Sequence, residues 1–240
     1  MKRSLYSLTL FIALNSTCFA QFGKILDKLG VPSTAGPGMG DTKLASGLKE
    51  ALKVGTENTV AQTGKSDGYL KNEAIKILLP GKLQMVEKGL QMAGKGNMID
   101  DLVTGMNRAA EAAAPKAKPI FGDAILEMTF DDARKIFSGG DTAATDYFKS
   151  KTSEKLTTAF KPVIQESMAN IGVHQQYEQV MGKYLAMMPF GKKDQFDLTG
   201  YVVGKALDGL FHVLGEEEKK IRTDPAAQVT GLLKEVFGKK

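Results

Sequence analysis

Apolar residues recur at helical spacing along most of the chain. Leu44, Leu48, Ala51 and Leu52, for example, line one face of a predicted helix over residues 44–62. Similar amphipathic stretches cover residues 83–90, 97–114, 129–137, 142–160, the segment from 162 onward, 174–187, 198–214 and 225–237. No hairpin dipeptide separates alternating apolar runs, so nothing indicates strands. The pattern predicts an all-α fold, a single compact domain of roughly eight to ten short helices with no significant sheet.

Capping and helix-breaking residues set several predicted boundaries. Thr129 and Asp132 have the spacing of a capping box at the start of a short helix. Pro162 is expected to begin a separate helix after the one that ends at residue 160. The run 216–222 reads Glu-Glu-Glu-Lys-Lys-Ile-Arg, with acids before bases as the helix dipole prefers, and is interpreted as a solvated face.

Residues 1–20 have the organisation of a secretory signal peptide. Lys2 and Arg3 precede an apolar run from Leu5 to Leu14, and Cys18-Phe19-Ala20 provides a small-residue cleavage site. The apolar run is about ten residues long, whereas a membrane-spanning helix needs roughly 20. We therefore expect export to the periplasm with removal of residues 1–20, and no transmembrane segment.

Residues 21–40 separate this leader from the domain. A short amphipathic helix is predicted from Phe22 to Leu29. The segment from Gly30 to Gly40 is rich in Gly and Pro and predicts a flexible tether. The compact helical domain is therefore expected over residues 41–240.

Charge and cysteine content exclude some classes of function. The chain has 32 basic and 27 acidic residues, and loss of Lys2 and Arg3 with the leader lowers the net charge to +3. So small a surplus does not indicate nucleic-acid binding. Cys18, the only cysteine, leaves with the leader, so no disulfide is expected. A lipid anchor at Cys18 is less favoured, because Asn15-Ser16-Thr17 replaces the apolar residue and small Gly or Ala of such sites.

The turn before the long predicted helix is a first candidate ligand-binding site. Gly139 and Gly140 allow backbone N–H groups at a helix N-terminus to face an anion, and Thr142 and Thr145 add hydroxyl groups. Asp141 is the natural helix cap, however, and its carboxylate would occupy the same donors. A glycine turn with an Asp cap is the favoured interpretation, and the lack of a following Gly-Lys-Ser/Thr excludes a P-loop.

A second candidate site contains Asn107, Arg108 and Glu111, with Lys118 a short distance along the chain. Asn107 and Glu111 are four residues apart and share a helix face among alanines. Since alanines let a neighbouring helix approach closely, we expect these polar side chains to be buried together. Buried charges need partners, so the group is either a structural polar network, which is favoured, or the lining of a pocket.

Histidine and nucleophile patterns predict no catalytic or metal site. His174 with Glu178, and His212 with Glu216, each share a helix face, but metal sites in helical bundles use Glu-x-x-His motifs with further carboxylates. The one Gly-x-Ser-x-Gly string, Gly64-Lys65-Ser66-Asp67-Gly68, ends a predicted helix and does not follow a strand, so it does not indicate a nucleophile elbow. No catalytic residue, metal or cofactor is predicted.

Several strings of residues together resemble one bacterial family. They are LKEAL at 48–52, MNRAAEAA at 106–113, GGDTAATDYF at 139–148, KALDGLF at 205–211 and EEKKIR at 217–222. On these strings the chain resembles the DUF4197 family of uncharacterised exported proteins from about Leu44 to Phe237. The resemblance implies a single helical domain in the envelope of Gram-negative-type bacteria, and it brings no activity or catalytic residue.

Three hypotheses of function follow from the sequence. The leading one is a non-enzymatic periplasmic protein that binds a small or apolar ligand, or an envelope protein partner, in a groove of the helical domain. One alternative is a hydrolase-type enzyme with a polar site near Asn107, Arg108, Glu111 and the Gly139-Gly140 turn. The other is a structural interaction module at the outer membrane that uses residues 22–29 as a docking helix.

Overall fold

The described part of the chain, residues 39–187 and 196–224 of a computed structural model, is helical and contains no strand. In it are eight α-helices: α1 (Met39–Gly64), α2 (Gln84–Met92), α3 (Asn97–Ala113), α4 (Ala117–Glu127), α5 (Phe130–Ser138), α6 (Ala143–Ile171), α7 (Val173–Met187) and α8 (Leu198–Thr223). Short 3-10 turns cover Gly81–Leu83 and Ala114–Lys116. The all-α prediction is confirmed.

Some predicted elements lie outside these ranges. They are the leader, the amphipathic segment and the tether within residues 1–38, most of the loop before α8, and the helix predicted over 225–237. Within the described ranges, no helix combines the length and apolar character that crossing a membrane requires.

Helix α3 lies at the centre of the domain and contacts α1, α6, α7 and α8. Its sequence explains this position, because Ala109, Ala110 and Ala113 are fully buried and keep little side-chain volume between neighbouring helices. Gly105 serves the same purpose on the side of α7, where an added Cβ would overlap the Val173 side chain. The small residues that predicted a close helix approach therefore occur at real helix contacts.

The prediction that Pro162 begins a new helix is wrong, because α6 continues through it from Ala143 to Ile171. Apolar residues are buried at four-residue spacing on both sides of the proline, including Leu156, Phe160, Ile164 and Met168. Pro162 itself is exposed, so its missing N–H is lost on the solvent side of the helix. Tertiary packing of one continuous apolar stripe outweighs the local cost of the proline.

The interpretation of residues 216–222 as a solvated face is wrong for two of its acids. Helix α8 continues to Thr223, and the side chains of Glu217 and Glu218 are buried. Ile221 is buried on the same part of the helix. Glu217 and Glu218 are therefore part of the domain interior, where each carboxylate must have partners, whereas Glu216, Lys219 and Lys220 are exposed.

Residues 65–80 connect α1 to the 3-10 turn before α2 and contain no helix. Ile75, Ile77 and Leu79 alternate with more exposed neighbours, which is the pattern of an extended segment with one buried face. Asp67 has a φ of 67°, in the left-handed region. An irregular segment of this length needs side chains from other elements to satisfy its backbone groups.

Candidate functional site

Asn107 holds the extended part of segment 65–80 against α3. Its Oδ1 accepts the backbone N–H of Ile77 at 2.8 Å, and its Nδ2 donates to the Ile77 carbonyl at 2.8 Å. The same Nδ2 also donates to the Val103 carbonyl at 2.8 Å. The amide thus pairs with both backbone groups of Ile77, as a neighbouring strand would.

Glu111 and Arg108 hold the first part of the same segment. Glu111 Oε1 accepts the backbone N–H groups of Tyr69 and Leu70, both at 3.1 Å, and Glu111 Oε2 accepts from Arg108 at 2.7 Å. Arg108 also donates to Asp67 Oδ1 at 2.6 Å and to Ser66 Oγ at 3.0 Å. The hydrogen-bonding groups of the second candidate site are thus engaged within the chain, as a structural network requires.

Charge and burial change the titration of this network. The side chains of Lys71 and Arg108 hold the pKa of Asp67 below its usual value. The carboxylates of Glu111 and Asp67 raise the pKa of Arg108. Burial raises the pKa of Tyr69, whose hydroxyl donates to the Ala206 carbonyl of α8 at 2.6 Å. Segment 65–80 is therefore fastened both to α3 and to α8.

The N-terminus of α6 differs from its prediction. Thr142 is the N-cap residue and makes no capping hydrogen bond, so the expected Asp141 cap is wrong. Glu218 of α8 supplies the carboxylate instead: Oε1 accepts the Ala144 N–H at 2.9 Å, and Oε2 accepts the Thr145 N–H and hydroxyl, both at 2.8 Å. The donors that were expected to face an anion face a carboxylate from α8 of the same chain.

Arg222 completes this arrangement one turn further along α8. Its Nη2 donates to Glu218 Oε1 at 2.8 Å and to the Ile136 carbonyl of α5 at 2.9 Å. Its side chain is only 8% exposed. Gly139 also belongs to this packing, because a Cβ there would lie 2.6 Å from Ala143 Cβ, whereas a Cβ at Gly140 would meet no atom within 4 Å.

Glu217 forms a third internal network, between α8 and α1. It accepts hydrogen bonds from Asn58 at 2.9 Å, from Gln62 at 2.9 Å and from Lys220 at 2.7 Å. Burial raises the pKa of Glu217, but these three hydrogen bonds outweigh burial and hold it below its usual value. The acid is therefore a structural link between two helices.

The histidine pairs do not build a metal site in the described part of the chain. His212 Nε2 lies 3.6 Å from Glu216 Oε1, with both side chains about half exposed. No group of three or more His, Cys, Asp or Glu side chains in residues 39–187 and 196–224 could hold a metal ion.

The open grooves on the surface of the described domain include two that lie between pairs of helices. The α1/α4 groove has a volume of about 540 Å³ and is lined by Lys49, Glu50, Lys53, Thr56, Glu57, Lys118, Pro119, Gly122, Asp123, Ile125 and Leu126. The α6/α8 groove has a volume of about 510 Å³ and is lined by Thr142, Thr145, Asp146, Lys149, Asp208, Phe211, His212, Gly215, Glu216 and Lys219. Both volumes lie in the range of small-molecule sites.

Some residues of the two candidate sites predicted from the sequence line these grooves, and others do not. Lys118 lines the α1/α4 groove, and Thr142 and Thr145 line the α6/α8 groove. Asn107, Arg108 and Glu111 line neither groove.

The apolar wall of the α1/α4 groove was missed from the sequence. Leu126 is 78% exposed, and Gly122 lies within a helix with no atom near its Cβ position. An exposed leucine next to a helical glycine is a weak signal, because single exposed apolar residues are common.

Contacts at both ends of the α1/α4 groove show how its two walls run. At one end Lys118 Nζ lies 3.3 Å from Glu57 Oε1, and at the other Lys49 Nζ donates to the Leu126 carbonyl at 3.3 Å. The two helices are therefore antiparallel along the groove, with Gly122 in the central part of the α4 wall. Glycine there leaves space that any larger side chain would fill.

A comparison with protein families finds one match. The family model described as "Protein of unknown function (DUF4197)" matches residues 38–238, which is most of the chain. No curated protein and no solved structure matches the chain.

Proposed function

The chain belongs to the DUF4197 family, and we propose that it is an exported, non-enzymatic protein that binds a small amphiphilic molecule in the α1/α4 groove. The observation that carries this proposal is an open groove of about 540 Å³ with an exposed apolar wall. Ligand pockets typically combine such an apolar surface with a few polar groups that fix orientation.

The apolar wall is suited to the body of the ligand. Pro119, Ile125 and Leu126 provide apolar surface, and Gly122 provides room between them. Leaving a leucine 78% exposed forgoes burial that is worth roughly 1.5–3 kcal/mol for a side chain of this size. A ligand that covers Leu126 would gain part of that free energy on binding.

The rim is suited to a polar head group. Lys118 and Lys49 are engaged at the two ends by Glu57 and the Leu126 carbonyl. Lys53, by contrast, is exposed and forms no ion pair with the described residues. An ammonium group beside an apolar wall offers the two kinds of contact that an amphiphile makes.

The internal hydrogen bonding supports a non-enzymatic role. Asn107 and Glu111 bind the backbone of segment 65–80 and also Val103 and Arg108 of α3. Glu218 binds the N-terminus of α6 and Arg222. A general acid or base must reach a substrate within hydrogen-bond distance. These buried groups are committed to the fold instead.

Export is supported by residues 1–20, where a basic start, an apolar run and a small-residue site follow one another. A charge in the apolar run should block export. We expect Leu10→Arg to leave full-length precursor in the cytoplasm, whereas the wild type is recovered from the periplasm with a new N-terminus at Gln21. Periplasmic recovery of the L10R protein at the wild-type level would contradict this part of the proposal.

The ligand proposal is tested by filling the groove. Gly122→Leu should occupy the central space and abolish the fluorescence enhancement of the apolar anionic probe anilinonaphthalene sulfonate, which the wild type should show. Gly204→Leu is the matched control, because Gly204 is also a helical glycine with no atom near its Cβ position and lies outside the groove. Equal probe binding by G122L and G204L would contradict the proposal.

Native mass spectrometry identifies the natural ligand. Protein purified from its own periplasm should carry a small adduct that is lost from G122L and kept by G204L. An adduct that survives in G122L would place the ligand elsewhere.

A further inference from the structure

We infer that a second copy of this chain covers the α1/α4 groove when no ligand is bound, so that the protein forms a reversible two-fold dimer and ligand binding competes with dimerisation. The dimer itself needs no ligand, whereas the competition rests on the proposed function. The inference depends on an exposed apolar side chain with a matching gap, on two charged groups without ion-pair partners, and on the agreement between their positions along the helices.

The apolar feature of the groove is self-complementary. Leu126 is 78% exposed, and Gly122, one helical turn earlier in α4, has no atom within 4 Å of its Cβ position. When two copies of α4 pack antiparallel, Leu126 of each copy meets the space at Gly122 of the other. Such a reciprocal contact is the property of a two-fold interface.

The charged feature of the groove is self-complementary as well. Glu50 is half-buried and Lys53 is exposed, both line the groove, and neither forms an ion pair with a described residue. They are three residues apart, so one face of α1 carries a charge of each sign. When two copies of α1 face each other antiparallel, Glu50 of each copy lies opposite Lys53 of the other, which gives two ion pairs between the copies.

The positions of the apolar and charged features agree. The two end contacts of the groove show that residues 118–126 of α4 run opposite residues 57–49 of α1. The midpoint of Gly122 and Leu126 is therefore level with residue 51 of α1, and the midpoint of Glu50 and Lys53 lies between residues 51 and 52. The difference is less than about 1 Å along a helix. One two-fold axis across both helices thus satisfies both features.

The dimer is expected to be weak. The paired surface is one face of two helices over about 12 Å, whereas stable interfaces bury about 800 Å² on each partner. Lys49 also lies at the level of Lys53 of the second copy, although its ammonium group is held by the Leu126 carbonyl at 3.3 Å. Weak association suits competition, because an amphiphile that fills the groove removes the contacts of both features.

Charge exchange tests the dimer. Glu50→Lys makes two pairs of lysines face each other, and Lys53→Glu makes two pairs of glutamates do so. Each variant alone should therefore dimerise at least about tenfold more weakly than the wild type in sedimentation equilibrium. An equimolar mixture of E50K and K53E should form a heterodimer, because every lysine then meets a glutamate, and the double variant E50K/K53E should dimerise again.

A control variant separates this pairing from a general effect of charge. Glu166→Lys makes the same change at an exposed position of α6 that does not line the groove, and it should dimerise as the wild type does. A monomeric wild type, a mixture of E50K and K53E that stays monomeric, or a loss of dimer in E166K equal to that in E50K would overturn the inference.

The competition is measured on the wild type. Saturating anilinonaphthalene sulfonate should shift the wild type from dimer to monomer in the same sedimentation experiment. A dimer that persists while the probe is bound would place probe and second copy on different surfaces and overturn the inference. If the probe does not bind at all while E50K and K53E form their heterodimer, the proposed ligand site fails and the dimer stands.

Discussion

Two buried glutamates of this domain use the same set of partners in different surroundings. Glu111 accepts two consecutive backbone N–H groups, from Tyr69 and Leu70, and pairs with an arginine three residues earlier. Glu218 accepts two consecutive N–H groups, from Ala144 and Thr145, and pairs with an arginine four residues later. The first fastens an irregular segment, and the second caps a helix from outside it.

The difference lies in how far water reaches the arginine. The side chain of Arg108 is 33% exposed and has Asp67 as a second carboxylate, whereas that of Arg222 is 8% exposed and has no second carboxylate among its recorded contacts. A charge that loses its partner costs more where water cannot replace that partner. A buried glutamate with two backbone donors and an arginine can therefore contribute moderately to stability at one position and be required for folding at another.

The largest effect is expected from Glu218→Gln. The change leaves Arg222 buried without a counter-charge and places an amide N–H₂ group against the donors of α6, so the free energy of unfolding should fall by about 3–5 kcal/mol. Urea denaturation measures this loss in the free energy of unfolding. The double variant E218L/R222M should recover part of the loss, because it removes the unpaired charge. A loss below about 1 kcal/mol in E218Q would show that water already reaches Arg222.

Glu111→Gln should cost less, about 1–3 kcal/mol in the same denaturation experiment. Arg108 keeps its 2.6 Å contact with Asp67 and is partly solvated, so no fully buried charge is left alone. The comparison between the two glutamates fails if E111Q destabilises the protein more than E218Q does.

The stability that Glu217 contributes should depend on pH, which adds a third glutamate to the comparison. Its pKa is below the usual value of 4.5, so the ionised form stabilises the fold above the unfolded-state pKa, and this stability is lost as pH falls through the folded-state value. We expect the melting temperature of the wild type to fall more steeply than that of Glu217→Gln between roughly pH 5 and pH 3. Parallel pH profiles for the two proteins would contradict this assignment.

The smallest effect is expected from Asp141→Ala. Because Glu218 supplies the carboxylate at the N-terminus of α6, loss of Asp141 should change the free energy of unfolding by less than about 0.5 kcal/mol. Thr129→Ala is the positive control, since it removes a complete capping box and should cost about 1 kcal/mol. A loss in D141A as large as in T129A would restore Asp141 as the cap.

Local patterns predicted some local features of this fold correctly, although the expected Asp141 cap is wrong. The capping box of Thr129 and Asp132 is present with both hydrogen bonds. Asn107 and Glu111 are buried together as their spacing among alanines predicts, whereas Arg108, expected to be buried with them, is 33% exposed. Both depend on residues within four positions of each other. Periodicity and spacing carry this kind of information directly.

Features that depend on distant residues could not be predicted in this way. The acids of 216–222 look solvated in sequence, but Glu218 accepts hydrogen bonds from Thr145, 73 residues away. The apolar spacing from Leu156 to Met168 runs through Pro162 in the sequence, but only its burial against neighbouring helices shows that this stripe outweighs the proline. The α1/α4 groove likewise exists only because α1 and α4 lie side by side.

The Glu218 cap also bears on the order of folding. The N-terminus of α6 lacks its carboxylate until the chain has been made through residues 218–222. The hydrogen bond from the Tyr69 hydroxyl to the Ala206 carbonyl likewise needs a residue 137 positions later. Contacts across such separations delay completion of the domain until nearly all of the described chain is available. Under the proposed export, these late contacts would keep the unfolded chain competent for translocation and let the domain close on the far side of the membrane.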